Sequence, residues 1–246
     1  MSLNTKRLFL RALRHLNIDC VADVGSMNGA ESLAFRGALP HADCHAFEAN
    51  PANFEQMAAD PALRAARIEL VPMAVSEADG TAEFFVLDAD YSTVNDQRGM
   101  SSLFNRTGET RRTKSFNVPA TRLDTFFQRK LRPDSRVAFW IDVEGKAYQV
   151  IEGMKGIASQ VHLIHAELET VPCINPQQKL QDDVLRLCGS LGLQPLAADG
   201  TSETPQRNWI FVRRDAPKVD LVWLWWTKML AMARHLAGRI RGRFAM

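Results

Sequence analysis

Val21-Ala22-Asp23-Val24-Gly25-Ser26-Met27-Asn28-Gly29 is the stretch from which the fold is read. An apolar run passes into a glycine turn and then into a pattern with helical spacing. That order is expected where a buried parallel strand delivers the backbone to a ligand-binding turn. Gly25 lets the chain turn and lets a ligand approach the main chain with no Cβ in the way. Gly29 does the same one helical turn later, where the next helix packs close. The spacing is D-x-G-x-x-x-G, not the G-x-G-x-x-G of a dinucleotide fingerprint. A carboxylate at Asp23 repels a pyrophosphate and attracts an ammonium. The turn therefore suits a nucleoside cofactor with a cationic amino-acid end and no phosphate, which is the chemistry of S-adenosyl-L-methionine. A nicotinamide dehydrogenase fits poorly on both counts.

A second element lies at the distance this reading requires. Cys44-His45-Ala46-Phe47-Glu48-Ala49-Asn50-Pro51 is a short strand ending in an acid, followed by a proline that opens a helix. Glu48 follows Gly25 at close to the ~20-residue offset at which a second-strand acid reaches ribose hydroxyls, and a carboxylate can accept from both hydroxyls at once. Residues 5–16 read as an amphipathic helix leading in, and 28–38 and 51–59 as the helices after the first two strands. A third strand, 68–72, brings Ala74 to its carboxyl end, where the edge of a base is read by backbone groups. Ala82–Leu87 reads as a further strand beside this core.

Residues 88–117 change character: they are polar and carry Arg106, Arg111, Arg112 and Lys114. Such a stretch reads as a lid or substrate loop, and its arginines suit an anionic acceptor. In residues 118–127, Thr121 or Asp124 is available to cap a short helix. Val137-Ala138-Phe139-Trp140-Ile141-Asp142-Val143-Glu144-Gly145 is the second chemical centre, another buried strand ending in an acid with a second acid two residues on. In an open α/β sheet, ligands lie beyond the carboxyl ends of the strands, so Asp23, Glu48, Asp142 and Glu144 converge on one edge. The strand 161–169 brings His165, Glu167 and Glu169 towards it. A helix over 176–190 and a closing strand over 208–212 complete the pattern. The candidate proton acceptors are Asp142, Glu144, His165 and Glu167, unranked: the histidine has the more suitable pKa, the acids the better-placed motif. A carboxylate group could instead hold a divalent cation that orients a hydroxyl pair, but the sequence does not require a metal.

Three segments together resemble the FkbM family of S-adenosyl-L-methionine-dependent methyltransferases: Asp23-Val24-Gly25 through Gly29, Phe47-Glu48-Ala49-Asn50-Pro51, and Ile141-Asp142-Val143-Glu144-Gly145. Ser101-Ser102-Leu103, Arg122-Leu123-Asp124 and the strand from Asn208 to Phe211 are similar to family positions too, so the likeness spans about residues 18–213. It implies a Rossmann-like class I α/β fold, a seven-stranded mostly parallel sheet with helices on both faces. It also implies O-methylation of a hydroxyl on a sugar, glycan or other small molecule. The cofactor-binding residues are then Asp23, Gly25, Ser26, Asn28, Gly29, Glu48, Asn50, Ala74, Ser102 and Asp142. Two departures stand out. Ser26-Met27-Asn28 replaces the usual small-Asn-hydrophobic run, and Lys146-Ala147 follows Gly145 where the family commonly has Ala-Glu. The alternative is a non-catalytic Rossmann-like module that binds a nucleoside cofactor or a partner.

Composition agrees with a globular domain: 46% hydrophobic and 24% charged residues place the chain outside disordered and fibrous classes. The net charge of +2 hides an asymmetry, because residues 217–246 hold six Lys or Arg against Asp220 alone. The remaining 1–216 is net acidic, which excludes nucleic-acid binding by bulk charge and is read as the methyltransferase domain. The four cysteines show no metal-ligand spacing, and no signal-type or membrane-spanning segment is present, so a cytoplasmic location is expected. In 217–246, Trp223, Trp226, Leu230, Ala233, Ala237 and Ile240 form one stripe if the segment is helical. Such a basic, Trp-rich helix suits peripheral contact with the inner face of a membrane, packing on the domain, or a contact between two copies.

Overall fold

The computed structural model describes residues 4–87, 97–106, 113–201 and 203–216. Its main body is a seven-stranded sheet in the order β3-β2-β1-β7-β8-β10-β9. Strands β1 (Cys20–Val24), β2 (Asp43–Phe47), β3 (Glu69–Val71), β7 (Val137–Ile141) and β8 (Val161–Glu169) are parallel. β10 (Gln206–Arg213) runs antiparallel between β8 and β9 (Leu193–Ala198). The chain winds outward from β1 through β2 to β3 and later returns to β7 on the other side of β1. The switch point therefore lies between β1 and β7, where open α/β sheets place their ligands.

Burial explains why these strands form. β1 and β7 are covered on both faces and read as continuous apolar runs, as central parallel strands do. On one face, α1 (Thr5–His15) and α2 (Ala30–Ala38) cover Val21, Ala138, Trp140 and Leu163. On the other, α5 (Leu123–Phe127), α6 (Ala147–Glu152) and α7 (Gln181–Ser190) cover Ala22, Phe139, Ile164 and Phe211. Helix α1 starts at Asn4, whose Oδ1 accepts from the Arg7 amide at 2.8 Å, and it buries Leu8, Phe9, Ala12 and Leu13. Asn50 and Asp60 cap α3 (Pro51–Ala59) and α4 (Pro61–Ala65) in the same way, each with a proline at the helix start.

Several elements differ from the sequence expectation. The strand read at 82–87 belongs to a separate three-stranded sheet, β4 (Ala74–Val75), β6 (Thr113–Thr121) and β5 (Gly80–Leu87), ordered β4-β6-β5. Thr113 to Asn117, read as part of a lid, pair with β5 from Leu87 to Glu83. Polarity misleads there because residues 114–117 are exposed on both faces of β6 and only its later part is buried. Of the other residues in the lid reading, 97–106 are described and are taken up with the cleft below, whereas 88–96 and 107–112 lie outside the described residues, as does the tail 217–246. Neither Thr121 nor Asp124 caps α5. Thr121 donates to Asp79, and the Asp124 carboxylate accepts from the Gly156 amide at 2.9 Å and from Arg122 at 2.6 Å. The last long helix begins at Gln181 rather than 176, because Gln178 closes a turn by accepting from the Ile174 and Asn175 amides. β9 was not anticipated. It carries Pro195, which the sheet tolerates because β9 is an edge strand. All four cysteines are free thiols, three of them buried. No described helix is long and apolar enough to cross a membrane.

Candidate functional site

Register brings the motif residues to one level. Val24 pairs with Phe47 on one side and Ile141 on the other, and Ile141 pairs with Ala166. Gly25, Glu48 and Asp142 are therefore the first residues beyond three adjacent parallel strands, and Glu167, still within β8, stands at the same level. Gly25 (φ +87°) turns the chain over β7, and a Cβ there would collide with the Asp142 carbonyl oxygen. Gly29 (φ +77°) opens α2, where a Cβ would lie 2.6 Å from a Leu63 methyl. Each glycine serves both backbone shape and close packing.

Asp23 sits beneath this turn and does not line the cleft. Its buried Oδ2 accepts from the hydroxyls of Ser26 and Ser32, both at 2.8 Å. Complete burial pushes its pKa up to about 7, against the opposing pull of those hydroxyls. Ser26 is thus spent on Asp23, and the Asn28 side chain accepts from the Ala30 amide at 3.0 Å. Both shape the turn from outside the cleft. Glu48 lines the cleft and also ties it together: Oε2 accepts from the Met27 amide at 2.6 Å and Oε1 from the Asn50 amide at 2.7 Å. Burial raises its pKa and those amides hold it down.

The cleft has about 520 Å³ of empty space, part of it open to solvent. Gly25, Met27, Glu48 and Asp142 form its polar side, and Phe47, Met73, Val75, Phe84 and Leu103 its apolar wall. Ala74 lines it at the start of β4. Ser102 does not: its hydroxyl donates to the Glu144 carbonyl at 2.7 Å, and its backbone pairs with Phe85. That pins the 101–104 segment across the cleft so that Ser101 faces in, with Asn50 Nδ2 at 3.4 Å from the Ser101 hydroxyl. Lys146 also lines the cleft, with Nζ 4.1 Å from the Phe104 ring centroid; burial lowers its pKa. Ser101 was read only as a neighbour of Ser102, and Lys146 only as a departure from a family pattern. Neither carried a spacing signal, because both reach the cleft through loop geometry.

The rim outside β7 and β8 is acidic. One carboxylate oxygen each of Asp142, Glu144 and Glu167 lies within 4.8 Å of the others. Asp142 is open to solvent yet sits low in a concave site. Withdrawal from bulk water, then repulsion from Glu144 and Asp23, pushes it up to about 7. Burial and then Asp142 and Glu144 raise Glu167 to about 8. Glu169 is 2% exposed and raised to about 7, chiefly by burial. Glu144 pairs with Arg106 at 2.6 Å. Arg106 is therefore engaged within the rim, contrary to its reading as part of an anion-binding cluster.

His165 is not brought to the rim. It lies one pleat inward from Glu167, 1% exposed, stacked on Trp140 with ring centroids 3.4 Å apart and edge-on to Phe9. Its Nε2 meets the Thr5 hydroxyl at 3.2 Å, and burial lowers its pKa to about 3. A ring walled in by α1 has no access to a substrate.

Comparison with known proteins follows the same lines. The family model described as the methyltransferase FkbM domain matches residues 19–190. No curated protein matches. Similar solved structures include precorrin-6y C5,15-methyltransferase from Geobacter metallireducens, 11% identical with a TM-score of 0.46, covering 85% of this chain and 87% of that one. Magnesium protoporphyrin IX methyltransferase from Synechocystis with bound SAH is 11% identical at a TM-score of 0.45, covering 85% and 81%. The N-terminal domain of EvdMO1, in the presence of SAH and D-fucose, is 12% identical at 0.46, covering 86% and 81%. With its glycine turn, cleft glutamate and D-V-E-G rim all inside the matched region, the chain belongs to the FkbM methyltransferase family, whose methyl donor is S-adenosyl-L-methionine.

Proposed function

We infer that this chain methylates a hydroxyl group of a small molecule, a sugar or glycan being the favoured class. The observation that carries the reading is the double position of Asp142, which lines the cofactor cleft and is also a member of the acidic rim. A methyl donor on one side and an acceptor on the other would share that boundary.

The cleft fits the cofactor in kind: an apolar wall for a base, a carboxylate at the end of β2 for ribose hydroxyls, and an acid at the mouth for a cationic amino-acid end. Gly25, Met27, Glu48 and Ala74 would hold it, with Ser101 and Lys146 closing over it, while Asn50, absent from the cleft lining, caps α3 and reaches the Ser101 hydroxyl. Asp23, Ser26, Asn28, Gly29 and Ser102 act by shaping these contacts. When bound, S-adenosyl-L-methionine supplies an electrophilic methyl group on a sulfonium. The protein's own tasks are alignment, exclusion of water and placement of charge. At the rim, Asp142 and Glu167 accept a hydrogen bond from the acceptor hydroxyl and draw its proton. Glu144 is held by Arg106, and His165 takes no part.

Calorimetric titration with S-adenosyl-L-methionine and with NAD, followed by a screen of hydroxylated acceptors with labelled methyl donor, tests the assignment. Binding of the first cofactor alone, with label transferred to an oxygen, is the expected result. Saturable binding with no turnover on any acceptor would favour a non-catalytic module. Glu48→Gln places an amide N–H against one of two backbone N–H donors. It is expected to weaken cofactor binding by about 1–3 kcal/mol, roughly tenfold or more, with the fold retained. Unchanged affinity in the folded variant would remove Glu48 from the cofactor site.

A further inference from the structure

Three carboxylates meet at the outer rim of the cleft, with Arg106 paired to one of them and a fourth acid, Glu169, buried further along β8. Asp142 and Glu167 stand side by side because β7 and β8 are parallel and paired at Ile141 and Ala166. Glu144 joins them from a turn in which it holds a left-handed backbone (φ +48°), its carbonyl fixed by the Ser102 hydroxyl. We propose that Asp142, Glu144 and Glu167 form a binding site for one hard divalent cation of the magnesium, manganese or calcium class.

The donors suit such an ion. All are carboxylate oxygens, with no nitrogen or sulfur in the set, which selects hard cations over zinc or copper. Their separations of up to 4.8 Å match two oxygens on opposite sides of a cation with bonds of roughly 2.3–2.6 Å. A smaller ion would need the carboxylates to close by a few tenths of an ångström.

A second observation points the same way. Glu169 follows Glu167 on the same face of β8 and is 2% exposed, and its Oε1 has no hydrogen-bond partner. It acts electrostatically on Asp142, Glu144 and Glu167 alike. Buried carboxylate oxygens are otherwise nearly always satisfied, so an orphan here marks a missing positive partner. Arg106 does not fill that role: its Nη2 holds Glu144 Oε2 and its Nε donates to the Met100 carbonyl at 3.2 Å. Gln206 gives Glu167 one neutral hydrogen bond at 3.1 Å and also serves the Glu169 carboxylate, but it brings no positive charge to either. On the reading of the site as a hydroxyl methyltransferase, the cation would hold acceptor oxygens at the boundary marked by Asp142. Its binding does not depend on that reading.

The test uses the full chain, stripped with a chelator and titrated with Mn²⁺ in the absence of cofactor and acceptor. Calorimetry and loss of the free Mn²⁺ electron paramagnetic resonance signal are the readouts. One Mn²⁺ per chain is expected, displaced by Mg²⁺ or Ca²⁺. Asp142→Asn and Glu167→Gln should each weaken it at least tenfold, whereas Arg106→Met, which frees Glu144, should tighten it. Thermal unfolding establishes that each variant is folded, and if one is not, the wild-type titration and the remaining variant decide. Absence of stoichiometric Mn²⁺ binding, or equal binding in wild type and the folded carboxylate variants, overturns the proposal. S-adenosyl-L-methionine titrated into the same stripped sample separates the two ideas. Cofactor binding without Mn²⁺ binding sinks the cation site alone, and the converse sinks the cofactor assignment alone.

Discussion

Gly25→Ala is expected to abolish S-adenosyl-L-methionine binding and to destabilise the domain by about 2–5 kcal/mol. The figure combines a Cβ forced into the left-handed region with overpacking against a neighbouring strand end. The overlap is with the Asp142 carbonyl, which is backbone and cannot swing aside, so the two loops that frame the cleft must part. A domain of this size should lose roughly 5–15 °C in Tm. Gly37→Ala is the matched control: it lies in α2 and its Cβ would meet nothing within 4 Å. That variant should be unchanged or up to ~1 kcal/mol more stable, because an alanine loses less backbone freedom on folding. Calorimetric unfolding and cofactor titration on both proteins check the pair. Full cofactor affinity in Gly25→Ala would mean that the cleft does not depend on the close approach of these two turns.

Asp23→Asn is expected to flatten the pH dependence of stability between about pH 4 and pH 7. The carboxyl has an ordinary value of 3.8 in the unfolded chain and about 7 when folded. Between those values the folded protein holds a proton that the unfolded chain has released. Wild-type stability therefore falls as pH rises through the window, by about 1.4 kcal/mol per pH unit from this group, and is level above it. Asparagine keeps an oxygen for the Ser26 and Ser32 hydroxyls and has no charge to bury. The variant should be close to wild type near pH 4 and more stable than wild type at pH 8. Chemical denaturation of both proteins across pH 4–8 reads this directly. Parallel pH curves would show that Asp23 is ionised without cost in the folded protein.

The parts that were legible in the sequence are those fixed by burial and by backbone shape. β1, β7 and the helix at 51–59 follow from apolar runs, glycine turns and a proline at a helix start, all local. The convergence of Gly25, Glu48 and Asp142 follows from one rule about strand ends, and Glu167, inside β8, joins them by register. What was not legible depends on neighbours distant in sequence. His165 and Glu167 are two residues apart on the same face, and only α1, from the other end of the chain, decides that one is entombed and the other stands at the rim. Asp23 reads as a ligand for an ammonium until Ser26 and Ser32 are seen to take both approaches to its buried oxygen. Ser102 and Ser101 are indistinguishable by type, and the bridge to Phe85 assigns one to the scaffold and the other to the cleft. The start of β6 looks like loop because residues 114–117 are exposed on both faces, so no alternation of apolar residues marks them as strand.

The contact between Gly25 and Asp142 also sets the order in which the molecule is made. β1 is made well before its partner β7, which pairs Cys20 with Val137, more than a hundred residues further along the chain. Closing so long a loop is slow and yields nothing until it is complete. Until then the nascent chain carries a finished-looking glycine turn with an open flank. Competence to bind the methyl donor thus waits until β7 has been made and paired, so a translation product halted before β7 would be inert towards the cofactor.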